Sequence, residues 1–244
     1  MWRKIGVLRK VLRFLFCFLL VAIYRAKEKN KTNILVLKEH LKQGSIIFVL
    51  NHICLEDVPI FLSLLYFKMG REISCITIPA SLKNWKSFLL GRLMRLSRLF
   101  GVELFPVVQH YERDIYPLSK IMKLDKKFLR AAKKTLLQKG GIVLITPEGH
   151  RGYGKIQHFQ SGIKTLAKVA KKNNCHTLIA PIGIEVGKNF GRNMNLGKQF
   201  ILHFGEPILA KTICQKSENS EIPINELIKE KIIKILPPEY SSLK

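Results

Sequence analysis

Ile46-Ile47-Phe48-Val49-Leu50-Asn51-His52-Ile53-Cys54-Leu55-Glu56-Asp57 decides how this chain folds and where its chemistry sits. It opens on five apolar residues, Ile46–Leu50, largely β-branched and short enough for a buried strand. Two polar residues, Asn51 and His52, follow at once, and Asp57 comes five positions after the histidine. Asp57 and Pro59 suit the first turn of a helix running on through Val58–Phe67. A histidine thus stands where a strand ends and a carboxylate where the next helix begins. The intervening loop is long enough to fold back, letting Asp57 hold one imidazole nitrogen and leaving the other as a general base. Asn51 has the chemistry to fix this loop through backbone bonds or to face a substrate.

The same alternation continues outward. Apolar runs at Ile73–Ile78, Val102–Val107, Ile142–Ile145, Leu178–Ile184 and Phe200–Phe204 predict further strands. Helical periodicity covers Lys83–Leu99, Ser119–Lys139, Ile163–Lys171 and Ile224–Leu236. Strand and helix in turn predict an α/β fold with a central, mostly parallel or mixed sheet flanked by helices. The expected divisions are an N-terminal segment 1–31, a catalytic domain 32–212 and a C-terminal helix and tail 213–244. A second strand, Ile142–Ile145, delivers Thr146-Pro147-Glu148-Gly149-His150-Arg151 at its C-terminal end, where open α/β sheets bind ligands. Gly149 permits a tight turn that brings Glu148 and Arg151 to one spot, and a guanidinium there grips phosphate through paired hydrogen bonds.

Charge points to the setting. The 244 residues carry a net +25, yet 47% are hydrophobic, unlike a disordered basic tail. High charge with high hydrophobicity fits an anionic surface that the protein also enters, a phospholipid membrane ahead of nucleic acid. Residues 1–31 hold nine Lys/Arg and the single acid Glu28, around the uncharged run Phe14–Tyr24. Eleven residues fall short of the roughly 20 that span a bilayer. A cleaved signal peptide is the rival, but Tyr24-Arg25-Ala26-Lys27 is a poor cleavage region. The expectation is a monotopic anchor on the cytoplasmic face, its cations snorkelling to lipid phosphates. Lys83–Phe100, with Trp85, Leu89, Leu93, Leu96 and Phe100 on one helical stripe and no acid, offers either a helix packed on the sheet or a second membrane face. The five cysteines are scattered and unpaired in spacing, and no histidines have metal-ligand spacing, so neither a disulfide framework nor a metal is expected.

Asn51-His52-Ile53-Cys54-Leu55-Glu56-Asp57 and Thr146-Pro147-Glu148-Gly149-His150-Arg151-Gly152 resemble the two defining blocks of the 1-acylglycerol-3-phosphate acyltransferase family, with its H-x4-D and Glu-Gly-x-Arg motifs. Phe159-Gln160-Ser161-Gly162 is similar to the family's next element. Ala180-Pro181-Ile182-Gly183-Ile184 and Phe204-Gly205-Glu206-Pro207-Ile208 resemble its later blocks. The sequence departs at His150, where the family has a small hydroxyl residue, and at Gly152, where serine is common. No arginine follows Gly101–Val107 until Arg113, and no lysine pair stands at Ile78–Leu82, although Lys83 and Lys86 are close. The resemblance implies a glycerolipid acyltransferase fold. It further implies direct transfer of a fatty acyl group from acyl-CoA or acyl-carrier protein to a lysophospholipid hydroxyl, foremost 1-acylglycerol-3-phosphate, with another lysolipid or an amino-lipid as alternative acceptor. No cofactor is implied. His52 and Asp57 would be catalytic, and Asn51, Glu148, Gly149 and Arg151 would bind substrate.

Two other function classes compete. A nucleic-acid-binding module accommodates the charge but leaves the apolar run unexplained and lacks a binding motif. A metal-dependent phosphoesterase requires more metal ligands than the sequence offers. Cys54 invites an acyl-enzyme, against which stands a plain packing role for a small loop residue. Glu56, by its loop position, is expected to be a solvated acid.

Overall fold

Ser45–Leu50 (β2) is buried at every position, because it pairs in parallel with a neighbour on each side. That explains why its sequence is a continuous apolar run rather than an alternation. The computed structural model describes residues 14–152, 155–187 and 195–240, without the side chains of residues 89, 90, 93, 99 and 100. Its first helix, α1, covers 14–23. Then follow β1 (Lys27–Lys29), α2 (Lys31–Leu41), β2, α3 (Asp57–Met69), β3 (Cys75–Ser81), α4 (Leu82–Lys86), α5 (Phe88–Leu96), β4 (Val102–Val107), α6 (Leu118–Leu136) and β5 (Gly141–Ile145). The chain closes with α7 (Gly162–Lys172), β6 (Thr177–Val186), β7 (Phe200–Phe204), β8 (Ile208–Leu209), α8 (Ala210–Ser220) and α9 (Ile224–Ile235).

The eight described strands form one sheet in the order β1-β7-β6-β2-β5-β3-β4, with β8 also on β6. The β1–β7 pair and all pairs from β6 through to β4 are parallel, while β7 and β8 run antiparallel to β6. The expected α/β architecture is therefore present as a mostly parallel mixed sheet between helices. The prolines on the interior strands β3 and β6 sit where the ladder has a gap. Pro181 lies on β6 between the stretches that pair with β8 and with β7. Pro79 lies on β3 beyond the residues that pair with β5. A missing N–H costs nothing at either place.

Right-handed crossovers carry α3, between β2 and β3, to one face of the sheet, and α6 and α7, whose connections run the other way across the strand order, to the opposite face. There α7 packs against α6, α8 and α9. Phe48, Phe61 and Phe204 fill the α3 face, with ring centroids 5.1 and 6.2 Å apart in successive pairs.

Two expectations differ from the structure, and two helices add to it. The predicted single helix Lys83–Leu99 is two helices. Ser87 adopts an extended conformation (φ −61°, ψ 132°) and its carbonyl accepts the Gly91 N–H, opening α5 afresh. Residues 27–29, read with the N-terminal segment, form β1 at the sheet edge, and Tyr24 packs edge-on against Phe200 at 5.4 Å. The helices α2 and α8 stand outside the predicted elements; α2 leaves Leu35 and Val36 exposed while burying Ile34 and Leu37.

Candidate active site

Every parallel strand from β6 to β4 ends at the same edge of the sheet, and the ends of the two central strands, β2 and β5, carry the polar motifs. From β2 the chain enters a short loop and then α3, whose first residue is Asp57. The loop returns far enough for His52 Nδ1 to donate to Asp57 Oδ2 at 3.0 Å. The same oxygen accepts the N–H groups of Ile53 and Cys54, and Oδ1 accepts the Cys54 thiol at 3.0 Å. Asp57 is wholly buried, whereas the His52 side chain keeps about a fifth of its surface open. With Nδ1–H committed to the carboxylate, Nε2 presents a lone pair outward, the geometry of a general base.

The loop after β5 grips the backbone of His52 from both sides. Glu148 Oε1 accepts the His52 N–H at 2.7 Å, and the His52 carbonyl accepts the Gly152 N–H at 2.6 Å. Glu148 Oε2 accepts the Gln157 N–H at 2.7 Å, closing the loop on itself. Glu148 is 1% exposed, so its role in this structure is to clasp the two loops together. Burial pushes its carboxyl up to about 7, against the opposing pull of the Gln157 and His52 N–H groups. The turn that aims it has Pro147 second and Gly149 fourth, with the Gly149 N–H on the Thr146 carbonyl at 3.2 Å. Gly149 has φ +73°, a conformation that favours glycine. Gly152 answers to space: a Cβ there would stand 2.2 Å from the Lys155 carbonyl oxygen and 2.9 Å from Glu148 Oε2. The serine common at that point of the family pattern does not fit this loop path.

Asn51 points away from the His52 loop. Its Oδ1 accepts the Ile184 N–H at 2.6 Å and its Nδ2 donates to the Ile184 carbonyl at 3.1 Å, so the side chain continues the pairing of β2 with β6. The structure thus brings His52, Asp57, Glu148 and Gly149 into one unit, with Asn51 behind it. Arg151 is half-buried and sits near Tyr111, whose phenol is pushed up by burial and by Glu112, with the Arg151 charge opposing.

Tyr111 belongs to a short 3-10 helix, His110–Ile115, which follows β4 and lies against the Glu148 loop. The Tyr111 ring is edge-on to His150 at 6.5 Å, and the Gln109 side chain approaches Gly149. Sequence reasoning missed these two residues because their relation to the loop is purely tertiary. Arg113, in the same turn, is 3.6 Å from Asp125 on α6. Lys86, after β3, lies over the Tyr116 ring at 4.9 Å.

Of two further loop residues, Cys54 keeps its packing role and Glu56 changes its reading. Burial and the adjacent Asp57 push the Cys54 thiol far up, removing it as a thiolate nucleophile. Glu56, expected in solvent, is 7% exposed: Oε1 accepts the Asn195 N–H at 2.7 Å while Oε2 is buried without a hydrogen bond. Among the described residues no three His, Cys, Asp or Glu side chains cluster as metal ligands.

A family model described as Acyltransferase matches residues 30–185, well over half of the chain and including both motif loops. A search of curated proteins finds no significant match.

Proposed function

We propose, for a chain that belongs to the acyltransferase family, that it moves a fatty acyl group from a thioester donor to the free hydroxyl of a lysophospholipid at a membrane surface. The observation that carries this reading is the His52–Asp57 pair at 3.0 Å, at the open edge of the sheet and tied by its backbone to the Glu148 loop. His52 Nε2 takes the proton of the acceptor hydroxyl as that oxygen attacks the thioester carbonyl. The C–O bond forms, the tetrahedral centre collapses, the C–S bond breaks, and the imidazolium returns its proton to the leaving thiolate. Asp57 orients the ring and stabilises its charged form throughout. Acyl-CoA and acyl-carrier protein both supply such a thioester.

Arg151 is assigned to the phosphate of the acceptor, foremost 1-acylglycerol-3-phosphate. It stands three residues beyond Glu148, on the loop that holds His52. A planar guanidinium matches a phosphate bidentately and an ammonium does not. Arg151→Lys is therefore expected to raise the KM for the lysophosphatidate acceptor about tenfold or more while moving the donor KM little. Product analysis of steady-state assays with labelled donor checks this. A selective rise in donor KM would reassign Arg151 to the phosphates of the donor.

The membrane part of the proposal rests on α1. Cys17 and Tyr24 are buried, with Leu20 and Ile23 packed on the core, while Phe14, Leu15, Phe16, Phe18 and Leu19 are each more than half exposed. An all-apolar helix with such a face is expected to lie in the headgroup region of a bilayer. No described helix is long and apolar enough to cross a membrane. The cations expected to flank the anchor on its N-terminal side, in residues 1–13, lie outside the described residues. Deleting 1–31 would also remove β1, so substitution is the cleaner test. Replacing Leu15, Phe18 and Leu19 together by glutamine is expected to weaken binding to phosphatidylglycerol-containing vesicles by at least about a hundredfold, since each buried Leu or Phe contributes roughly 1.5–3 kcal/mol. Vesicle flotation reads the outcome, and undiminished flotation would defeat the anchor.

A further inference from the structure

On the face of the sheet opposite α3, the helices α6 and α7 border an open groove of about 590 Å³. Lys126, Arg130 and Lys133 line one wall, and Lys164, Lys168 and Lys172 the other. All six are exposed, and none has an acidic partner within ion-pair distance among the described residues. Leu129 and Val169, partly buried, form an apolar floor between the rows. Like charges at i, i+4 spacing oppose each other in the isolated helix, so this arrangement does not serve folding. The neighbouring Lys171 is by contrast neutralised by Glu218 at 2.7 Å.

The dimensions select the occupant. At about 1.5 Å of rise per residue, each cation row extends roughly 10–12 Å along its helix. That is too long for a single nucleotide's phosphates and matches two turns of a helix. Two rows of cations beside an apolar floor complement an amphipathic helix with acidic flanks, laid in the groove. The architecture favours a protein over a bilayer as the occupant. The apolar face of α1 lies on the α3 side, where Phe14 stacks on Phe67 at 5.7 Å, so a membrane met through α1 leaves this groove toward solvent. Among the described residues no aromatic side chain lines the groove to stack a base. One end of the groove also adjoins the site: α7 starts two residues after Gln160, whose N–H bonds the Pro147 carbonyl beside Glu148.

We propose that this groove docks an acidic helix of a small carrier protein that brings the acyl chain as a thioester, its flexible arm reaching over the sheet edge to His52. The proposal rests on the acyl-transfer reading above and names the donor's source. The test uses the full-length protein with a labelled palmitoyl-loaded acyl-carrier protein, read by fluorescence anisotropy. The variants are K126E/R130E/K133E and, as a gentler form, the three glutamine substitutions. Thermal melting verifies their fold.

The expected result is at least tenfold weaker carrier binding by the charge-reversed variant, intermediate binding by the neutral one, and a fall with salt for the wild type. The ratio of kcat/KM for the carrier thioester to that for palmitoyl-CoA should fall at least tenfold, while His52→Ala still binds the carrier. Equal binding by all variants, or no binding by the wild type, overturns the docking surface. Loss of vesicle flotation or of RNA-oligomer binding with carrier affinity intact also overturns it, assigning the groove to lipid or nucleic acid. Failure of the wild type to transfer acyl groups from either donor refutes the proposed function instead, a result distinct from failure of carrier binding.

Discussion

Replacing His52 with alanine is expected to lower turnover by about a hundredfold to ten-thousandfold, the range for loss of a general base, with the protein still folded. The imidazole side chain makes one described hydrogen bond, to Asp57, and keeps part of its surface open, so its removal leaves little packing undone. Asp57→Ala should depress turnover to a similar extent for a different reason. Without the carboxylate, neither the Nδ1–H tautomer nor the ring orientation is held. Asp57→Ala should also destabilise, because the buried N–H groups of Ile53 and Cys54 and the Cys54 thiol all lose their acceptor. Single-turnover acylation of a lysophospholipid, with circular dichroism as the fold control, separates the two effects. Near-wild-type transfer by purified His52→Ala would remove the mechanism.

The second large effect belongs to Glu148. Its carboxylate satisfies two backbone N–H groups at 2.7 Å each, those of His52 and Gln157, at a position 1% exposed. Glu148→Ala strands both donors, and at about 1–3 kcal/mol for each unsatisfied buried group the loss is roughly 2–6 kcal/mol. For a chain of this size that corresponds to a thermal midpoint lower by roughly 5–20 °C. Turnover should fall as well, since the same bond positions His52.

The sign of the pH dependence follows from the carboxyl being pushed up to about 7 from its ordinary 4.5. The folded state holds this proton more tightly than the unfolded chain. The stability it adds is therefore complete below pH 4.5 and is lost as pH rises through 7. In Glu148→Gln that decline disappears. The wild type should thus lose stability relative to Glu148→Gln between pH 5 and 8, measured by denaturant titration. A difference that stays flat would show that the buried group is ionised throughout.

Local pattern carried much of this protein. The run Ile46–Leu50 is buried on both sides, so an unbroken apolar string was its only stable sequence, and His52 and Asp57 were legible because a strand end and a helix start were both marked by residue type. Gly149 announced its turn for the same reason: a positive φ favours few residues. The alternation of runs made the sheet and its flanking helices readable, since the periods of strand and helix are set by backbone geometry that every sequence shares.

The tertiary structure decided what depends on distant partners. Whether Glu148 meets solvent or the His52 backbone turns on a contact across 96 positions of chain, and Asn51 reaches Ile184 across 133. The same holds for Glu56, which a loop position alone would leave in water but which Asn195 covers from 139 residues away. Tyr111 and Gln109 join the site only because β4 and β5 both flank β3 in the sheet, and the short β1 exists only because β7 offers it an edge. The groove between α6 and α7 is likewise invisible in either helix alone. Each sequence reads as a basic amphipathic helix, and only their adjacency turns two solvated faces into opposing walls of positive charge. Periodicity reports how a segment meets a core; which segments become neighbours is settled by the order of strands, which no local pattern encodes.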